Sequence, residues 1–173
     1  EDVQQVCLET AKFLRYLHDE VVRLLNEGCW IEEILERVKV PEDLLSKPWL
    51  TPRYGHPTFI IHAIHRRYAG WYNGNPAELF PSKSSEIAAE VVELCGVEQL
   101  VERAKELKGK GRIQPALHLA DFAIKGANDS KRKEALLLKA ELLDAKADAE
   151  PSFIARNIFR NGANSAREQA DSP

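Results

Sequence analysis

Three observations place this chain in the all-α class. Apolar residues recur at helical spacing from end to end, period-two alternation is almost absent, and glycines and prolines stop and start the periodic segments. The predicted architecture is a multi-helix bundle whose second half is made of tetratricopeptide-like antiparallel helix pairs. At 173 residues the chain can bury a sizeable core without disulfides or metals.

The elements follow in order. Val3, Cys7, Leu14, Leu17, Val21, Leu24 and Leu25 mark the expected inner face of a long first helix that Gly28 stops. Trp30, Ile31, Ile34, Leu35 and Val38 predict a shorter second helix. Pro41 opens a brief turn through Leu45, since its missing N–H costs little at the first helical position. Residues Ser46 to His56 carry Pro48 and Pro52 with Trp49, Arg53 and Tyr54, the pattern of an ordered loop. Pro57 starts the next helix, which runs into Arg66-Arg67-Tyr68-Ala69-Gly70-Trp71-Tyr72-Asn73-Gly74-Asn75-Pro76-Ala77.

That run predicts a structural corner at Tyr68, Gly70, Trp71, Gly74, Asn75 and Pro76. The two glycines allow a turn or a close approach, and Asn75-Pro76 ends the helix because a residue before proline is driven out of the α region. Its rings, Tyr68, Trp71 and Tyr72, either lock the helix end by burial or line a ligand site or subunit seam. Another helix, capped at Ser82 or Ser84, runs through Ile87, Val91 and Leu94 to Gly96.

The character changes at about Val97. Leu100, Ala104 and Leu107 make one helix, and Ala116, Ala120 and Ala123 after Gly111-Arg112-Ile113 make its partner, with alanines that let two helices approach closely. Ala135, Leu138, Leu142 and Ala145 mark a further helix, and Phe153, Ile154, Ile158 and Phe159 the last. Residues 1–96 are thus expected as a helical region with an aromatic corner and 97–168 as helical pairs of one continuous domain. Residues 169–173 are expected as a frayed tail.

Composition narrows the function classes. A net charge of -3, with both signs interspersed, disfavours nucleic acid and anionic membrane as partners. No stretch is long and apolar enough to span a bilayer, and no basic region with an apolar core behind it opens the chain. The odd cysteine count, Cys7, Cys29 and Cys95, without metal-ligand spacing, is read as free thiols and slightly favours the cytoplasm over the periplasm or the exterior. A first residue of Glu1, with helical periodicity already running, points to a segment of a longer polypeptide.

No complete catalytic set is visible, and no metal site is predicted. His56, His62 and His65 lack the pattern and carboxylate that a zinc site needs, and His18-Asp19 is more simply a packing pair than an acid/base pair. Cys29 has no basic neighbour in sequence to generate a thiolate. One stretch, Arg53-Tyr54-Gly55-His56-Pro57, suits an anion. It joins a guanidinium fork, a phenol and an imidazole just before a helix N-terminus, where free N–H groups carry partial positive charge. The competing reading is that Arg53 pairs with an acidic residue and Tyr54 packs.

Tyr16-Leu17-His18-Asp19, the Arg53-to-Pro57 loop and the Arg67-to-Ala77 stretch together resemble the alkyl sulfatase dimerisation domain, the helical middle portion of metallo-β-lactamase-superfamily alkyl and aryl sulfatases. The resemblance extends to Phe153-Ile154-Ala155-Arg156-Asn157-Ile158-Phe159-Arg160. It implies a homodimer that shapes a substrate pocket for a zinc-dependent hydrolase. A preceding metallo-β-lactamase domain would hold two zinc ions and cleave a sulfate ester, and a sterol-carrier-like domain often follows. In that setting Arg53, Tyr54 and His56 would face the sulfate. Where many members carry a polar serine-histidine-asparagine run after the Tyr-Gly, this chain has Thr58-Phe59-Ile60, which suggests a separate branch. The alternative is an autonomous helical-repeat module that binds a protein partner in an apolar groove.

Overall fold

The computed structural model describes residues 3–127 and 129–172, and every regular element among them is helical. The helices are α1 (Val3–Asn26), α2 (Ile31–Arg37), α3 (Glu42–Leu45), α4 (Pro57–Ala69), α5 (Ser84–Cys95), α6 (Val97–Gly109), α7 (Ile113–Gly126), α8 (Asp129–Ala149) and α9 (Phe153–Asp171), with a 3-10 turn at Pro76–Glu78. They form two compact units, Glu1–Pro81 and Ser82–Pro173.

The first unit is built on α1 and α4. Phe13, Leu17, Val21 and Leu24 of α1 are buried with Ile34, Val38, Leu44, Leu50 and Ile61 in one core. The apolar stripe of α1 extends further toward its start than its cover does. Val3 and Leu14 are 75% and 46% exposed and Cys7 is also exposed, so the inner face expected from Val3 onward begins at Phe13. Periodicity locates a helix face, but a neighbour must exist to bury it. The Tyr16 hydroxyl donates to the Lys39 carbonyl at 2.5 Å, tying α1 to the segment after α2.

The second unit is held by small residues. Ala116, Ala120 and Ala123 of α7 are fully buried, as are Ala104 of α6 and Ala135 of α8. Ion pairs report the helix directions. Glu98 with Lys131 and Lys108 with Glu141 run α6 parallel to α8, whereas Asp144 with Arg167 and Asp148 with Arg160 run α9 back along α8. Exposed pairs of this kind add little stability, but they record register. α9 packs through Ala155, Ala163, Ala166 and Ala170, leaving Ile154 and Ile158 exposed.

Composition changes at residue 97, yet the units divide at Pro81 and Ser82, because α5 packs with α7. Its contact is Ala88, wholly buried, rather than Ile87 or Leu94, which are 46% and 85% exposed. Gly126 permits this approach, since a Cβ there would meet the Ala88 carbonyl oxygen at 2.9 Å. The segment expected to fray is helical to Asp171, with Ala170 buried; Pro173 lies outside the described residues.

Candidate functional site

The Arg53 loop rests on a chain of local hydrogen bonds. Leu50 and Thr51 N–H groups both donate to the Lys47 carbonyl at 3.0 Å, and the Arg53 N–H donates to the Thr51 carbonyl at 2.7 Å. Beneath it, Lys47 pairs with Glu9 of α1 at 3.5 Å and lies over the Trp49 ring. Burial would raise the Glu9 carboxyl, but the hydrogen bond from Gln5 and the charge of Lys47 outweigh it and hold the group below its ordinary value. Oε2 of Glu9 and the indole Nε1 of Trp49 are both buried without a hydrogen bond of ordinary geometry, although Trp49 lies close enough to assist that lowering.

Arg53 and Tyr54 stand exposed at the tip of this loop, Tyr54 by 68%. Among the described residues no carboxylate pairs with Arg53. His56 has a different position. It is the N-cap of α4, and its Nδ1 accepts from the Thr58 N–H at 3.2 Å. A neutral imidazole that accepts at Nδ1 carries its proton on Nε2, so the outer nitrogen is a donor.

The α4 N-terminus does not offer the free N–H groups expected for an anion. Pro57 has none, Thr58 is bound by His56, and Phe59 and Ile60 both donate to the His56 carbonyl. Helix-end capping has thus consumed the donors that sequence reasoning assigned to a ligand. What remains for an anion is the Arg53 guanidinium, with Tyr54 beside it in the chain and the His56 Nε2.

The segment from Gly70 to Glu78 is arranged around a ring from outside it. α4 stops at Gly70, whose φ of 75° no L residue adopts easily and whose N–H closes on the Arg66 carbonyl. Asn75 caps the 3-10 turn by accepting from Ala77 at 3.1 Å, Asn73 accepts from the Asn75 N–H at 3.0 Å, and Glu78 receives both asparagine amides. Trp71, expected at the heart of the corner, is 74% exposed, and Tyr68 is 53% exposed. The ring seated in the turn is Trp30, the N-cap of α2, which lies against Gly74 and meets Tyr72 edge-on at 5.2 Å. A tryptophan 44 residues before Gly74 leaves no local signal of that contact.

His18 bridges Asp19, at 2.9 Å from Nδ1, and the Tyr68 hydroxyl, at 2.7 Å from Nε2. This relay fastens α1 to the end of α4 and leaves an imidazole whose tautomer is set by its carboxylate. His62 and His65 differ in burial: His62 is exposed, whereas His65 is 5% exposed with its Nε2 buried and unpartnered. Cys29 does have a basic neighbour, because the Arg37 Nη1 lies 2.8 Å from its Sγ. The two are eight residues apart, and α2 brings them together across its length.

The sequence profile for alkyl sulfatase dimerisation matches residues 30–169, most of the chain. The chain belongs to the alkyl sulfatase dimerisation family. Members of related full-length proteins agree. A linear primary-alkylsulfatase of a Pseudomonas species is 32% identical over 76% of this chain and 25% of its own length. An alkyl/aryl-sulfatase of Saccharomyces cerevisiae is 28% identical over 89% of this chain and 24% of its own. In structure, the stereoselective inverting sec-alkylsulfatase Pisa1 from a Pseudomonas species superimposes with a TM-score of 0.81 at 28% identity, over 88% of this chain and 24% of that one. A double mutant of the same sulfatase gives 0.85 at 26% identity, over 92% of this chain and 25% of that one. This alkyl sulfatase dimerisation domain therefore spans about a quarter of the length of the relatives it matches.

Proposed function

We propose that this domain joins two copies of a sulfate-ester hydrolase and presents Arg53, Tyr54 and His56 to the sulfate of the substrate. The observation that carries the reading is Arg53: an exposed guanidinium without a carboxylate partner among the described residues, on a loop whose backbone is pinned from below. A planar fork of this kind matches the oxygens of a sulfate two at a time. Neutral His56 adds the Nε2 donor that its capping role orients. The family's character as a dimerisation domain supports pairing of copies, and the uncovered first turns of α1, with Val3, Cys7 and Leu8, supply apolar area for it.

The described residues contain no cluster of three or more His, Cys, Asp or Glu side chains able to hold a metal. The two zinc ions of this reading, which would activate the attacking water, belong to a preceding metallo-β-lactamase domain, and a sterol-carrier-like domain would follow. The part played by this chain is to bind and orient the anionic group. The alternative of a free-standing repeat module that grips a partner in an apolar groove gains no support from the second unit. Its surface groove between α6 and α8 is crossed by Lys105–Glu134 and Lys108–Glu141 pairs.

In the full-length enzyme, Arg53→Ala should lower kcat/KM for an alkyl sulfate about ten- to a hundredfold, the loss expected for a charge-assisted hydrogen bond. Sedimentation should still find a dimer. An unchanged kcat/KM removes Arg53 from the site, and a monomer at working concentration removes the pairing role.

A further inference from the structure

α1 carries an apolar face that stays open among the described residues. Val3, Cys7, Ala11 and Leu14 follow one another at helical spacing, which sets them within about 80° of arc on a helix of 3.6 residues per turn. All four are exposed, Val3 by 75% and Leu14 by 46%. Leu8, 62% exposed, widens the face on one side. On the other side Thr10 folds its hydroxyl back onto the Val6 carbonyl at 2.8 Å, so it asks for no outside partner. The row ends at His18, whose ring is held by Asp19 and Tyr68.

The order of sizes along the row decides what fits it. Val3 and Leu14 are large and Cys7 and Ala11 between them are small, so the row reads alike from either end. A two-fold interface requires such a patch, because one surface must serve both subunits. Two helices that cross at the small centre can approach closely, and the large ends then fill the space where they diverge. Charge selects the direction. A parallel crossing would set exposed Arg15 beside its own mate, whereas an antiparallel one centred near Glu9 holds the two about 18 Å apart, beyond the reach of screened charges. We propose that two copies of this chain pair through this face of α1, antiparallel, with Cys7 of one copy against Ala11 of the other and Val3 against Leu14. The inference rests on the pairing role of the domain and adds the helix, the direction and the contacts. The row is about 17 Å long and about one helix wide, less than half of the roughly 800 Å² that each partner gives to a standard interface. A seam of that size should be parted by one charge at its centre.

The test uses the 173-residue chain and its own thiols, since Cys7 and Cys95 are both exposed and only Cys7 lies in the seam. Sedimentation over a concentration series gives the fraction paired, and iodoacetamide labelling read by mass spectrometry gives the reactivity of each thiol. When about nine-tenths of the chain is paired, Cys7 should label about tenfold more slowly than in dilute chain, because only the unpaired tenth reacts, and Cys95 should keep its rate. Ala11→Arg leaves the core of the unit as it is, since Ala11 is exposed. It should raise the dimer Kd at least about a hundredfold and leave Cys7 open. Lys12→Glu, about 100° further round the helix, should change neither. Ala11→Cys should form a covalent dimer with Cys7 on mild oxidation, and Ala11→Cys joined to Cys7→Ser should not, because position 11 faces position 7 rather than itself. A dimer in which Cys7 stays as open as in dilute chain, or one that Ala11→Arg leaves intact, overturns the seam while the pairing role stands. A covalent dimer of the Cys7→Ser, Ala11→Cys chain overturns the antiparallel direction. A chain that sediments as a monomer at every concentration overturns the seam and the pairing role together.

Discussion

Replacing Gly74 with alanine tests whether the aromatic corner is held by Trp30. Gly74 has φ of 96°, and a Cβ built there would lie 2.5 Å or less from three atoms of the Trp30 ring. Two costs add. The backbone conformation is strained for any L residue, about 1–3 kcal/mol. The ring must also leave its seat, which costs about 0.5–1.5 kcal/mol in an off-rotamer side chain and about as much in the lost edge contact with Tyr72. Gly70 supplies the control, since it too has positive φ, 75°, but an added Cβ there meets nothing within 4 Å. Gly70→Ala should therefore show the backbone cost alone, and Gly74→Ala about 1–3 kcal/mol more. At about 4–8 °C per kcal/mol for a unit of this size, Gly74→Ala should melt at least about 4 °C below Gly70→Ala. Thermal unfolding by circular dichroism measures the difference, and the near-ultraviolet band reports the displaced indole. Equal melting temperatures with an unaltered near-ultraviolet spectrum would refute the seating of Trp30 on Gly74.

Two further outcomes concern stability. Burial, and then the charge of His62, lower the His65 pKa, so below about pH 6.5 the unfolded chain takes up a proton that the folded unit resists. Stability should thus be full above about pH 6.5, decline as pH falls toward the lowered folded-state value, and level beneath it; His65→Phe should flatten that slope in melts from pH 7.5 to 5. Ser152, fully buried, caps α9 by accepting from the Ala155 N–H at 3.4 Å, so Ser152→Ala should cost about 0.5–2 kcal/mol in a denaturant titration. A midpoint equal to that of the parent chain would show that the cap is idle.

Much of the helical skeleton was legible in the chain. Gly28, Pro57, Gly96 and Gly111 mark ends and starts because φ above zero or a missing N–H admits few other structures there. The alanine row of α7 was legible for a related reason: residues 116, 120 and 123 recur at helical spacing, and all three are fully buried, as is Ala104 of α6. The candidate site was legible only as an inventory. Arg53, Tyr54 and His56 are found by their chemistry, but the role of His56 as a cap, which takes the Thr58 N–H from any ligand, is a matter of one rotamer and one hydrogen bond at 3.2 Å.

The chain by itself determined the helical class, the order of elements, the places where helices stop and the family, because these depend on local backbone preference and on motif residues close in sequence. Tertiary structure alone decided which apolar faces find cover. It left Val3, Leu14 and Trp71 in solvent, buried His65, sent Trp30 to Gly74 and joined His18 to Tyr68. Each of those outcomes depends on a surface brought from elsewhere in the fold, and burial is a property of two surfaces, whereas periodicity describes only one.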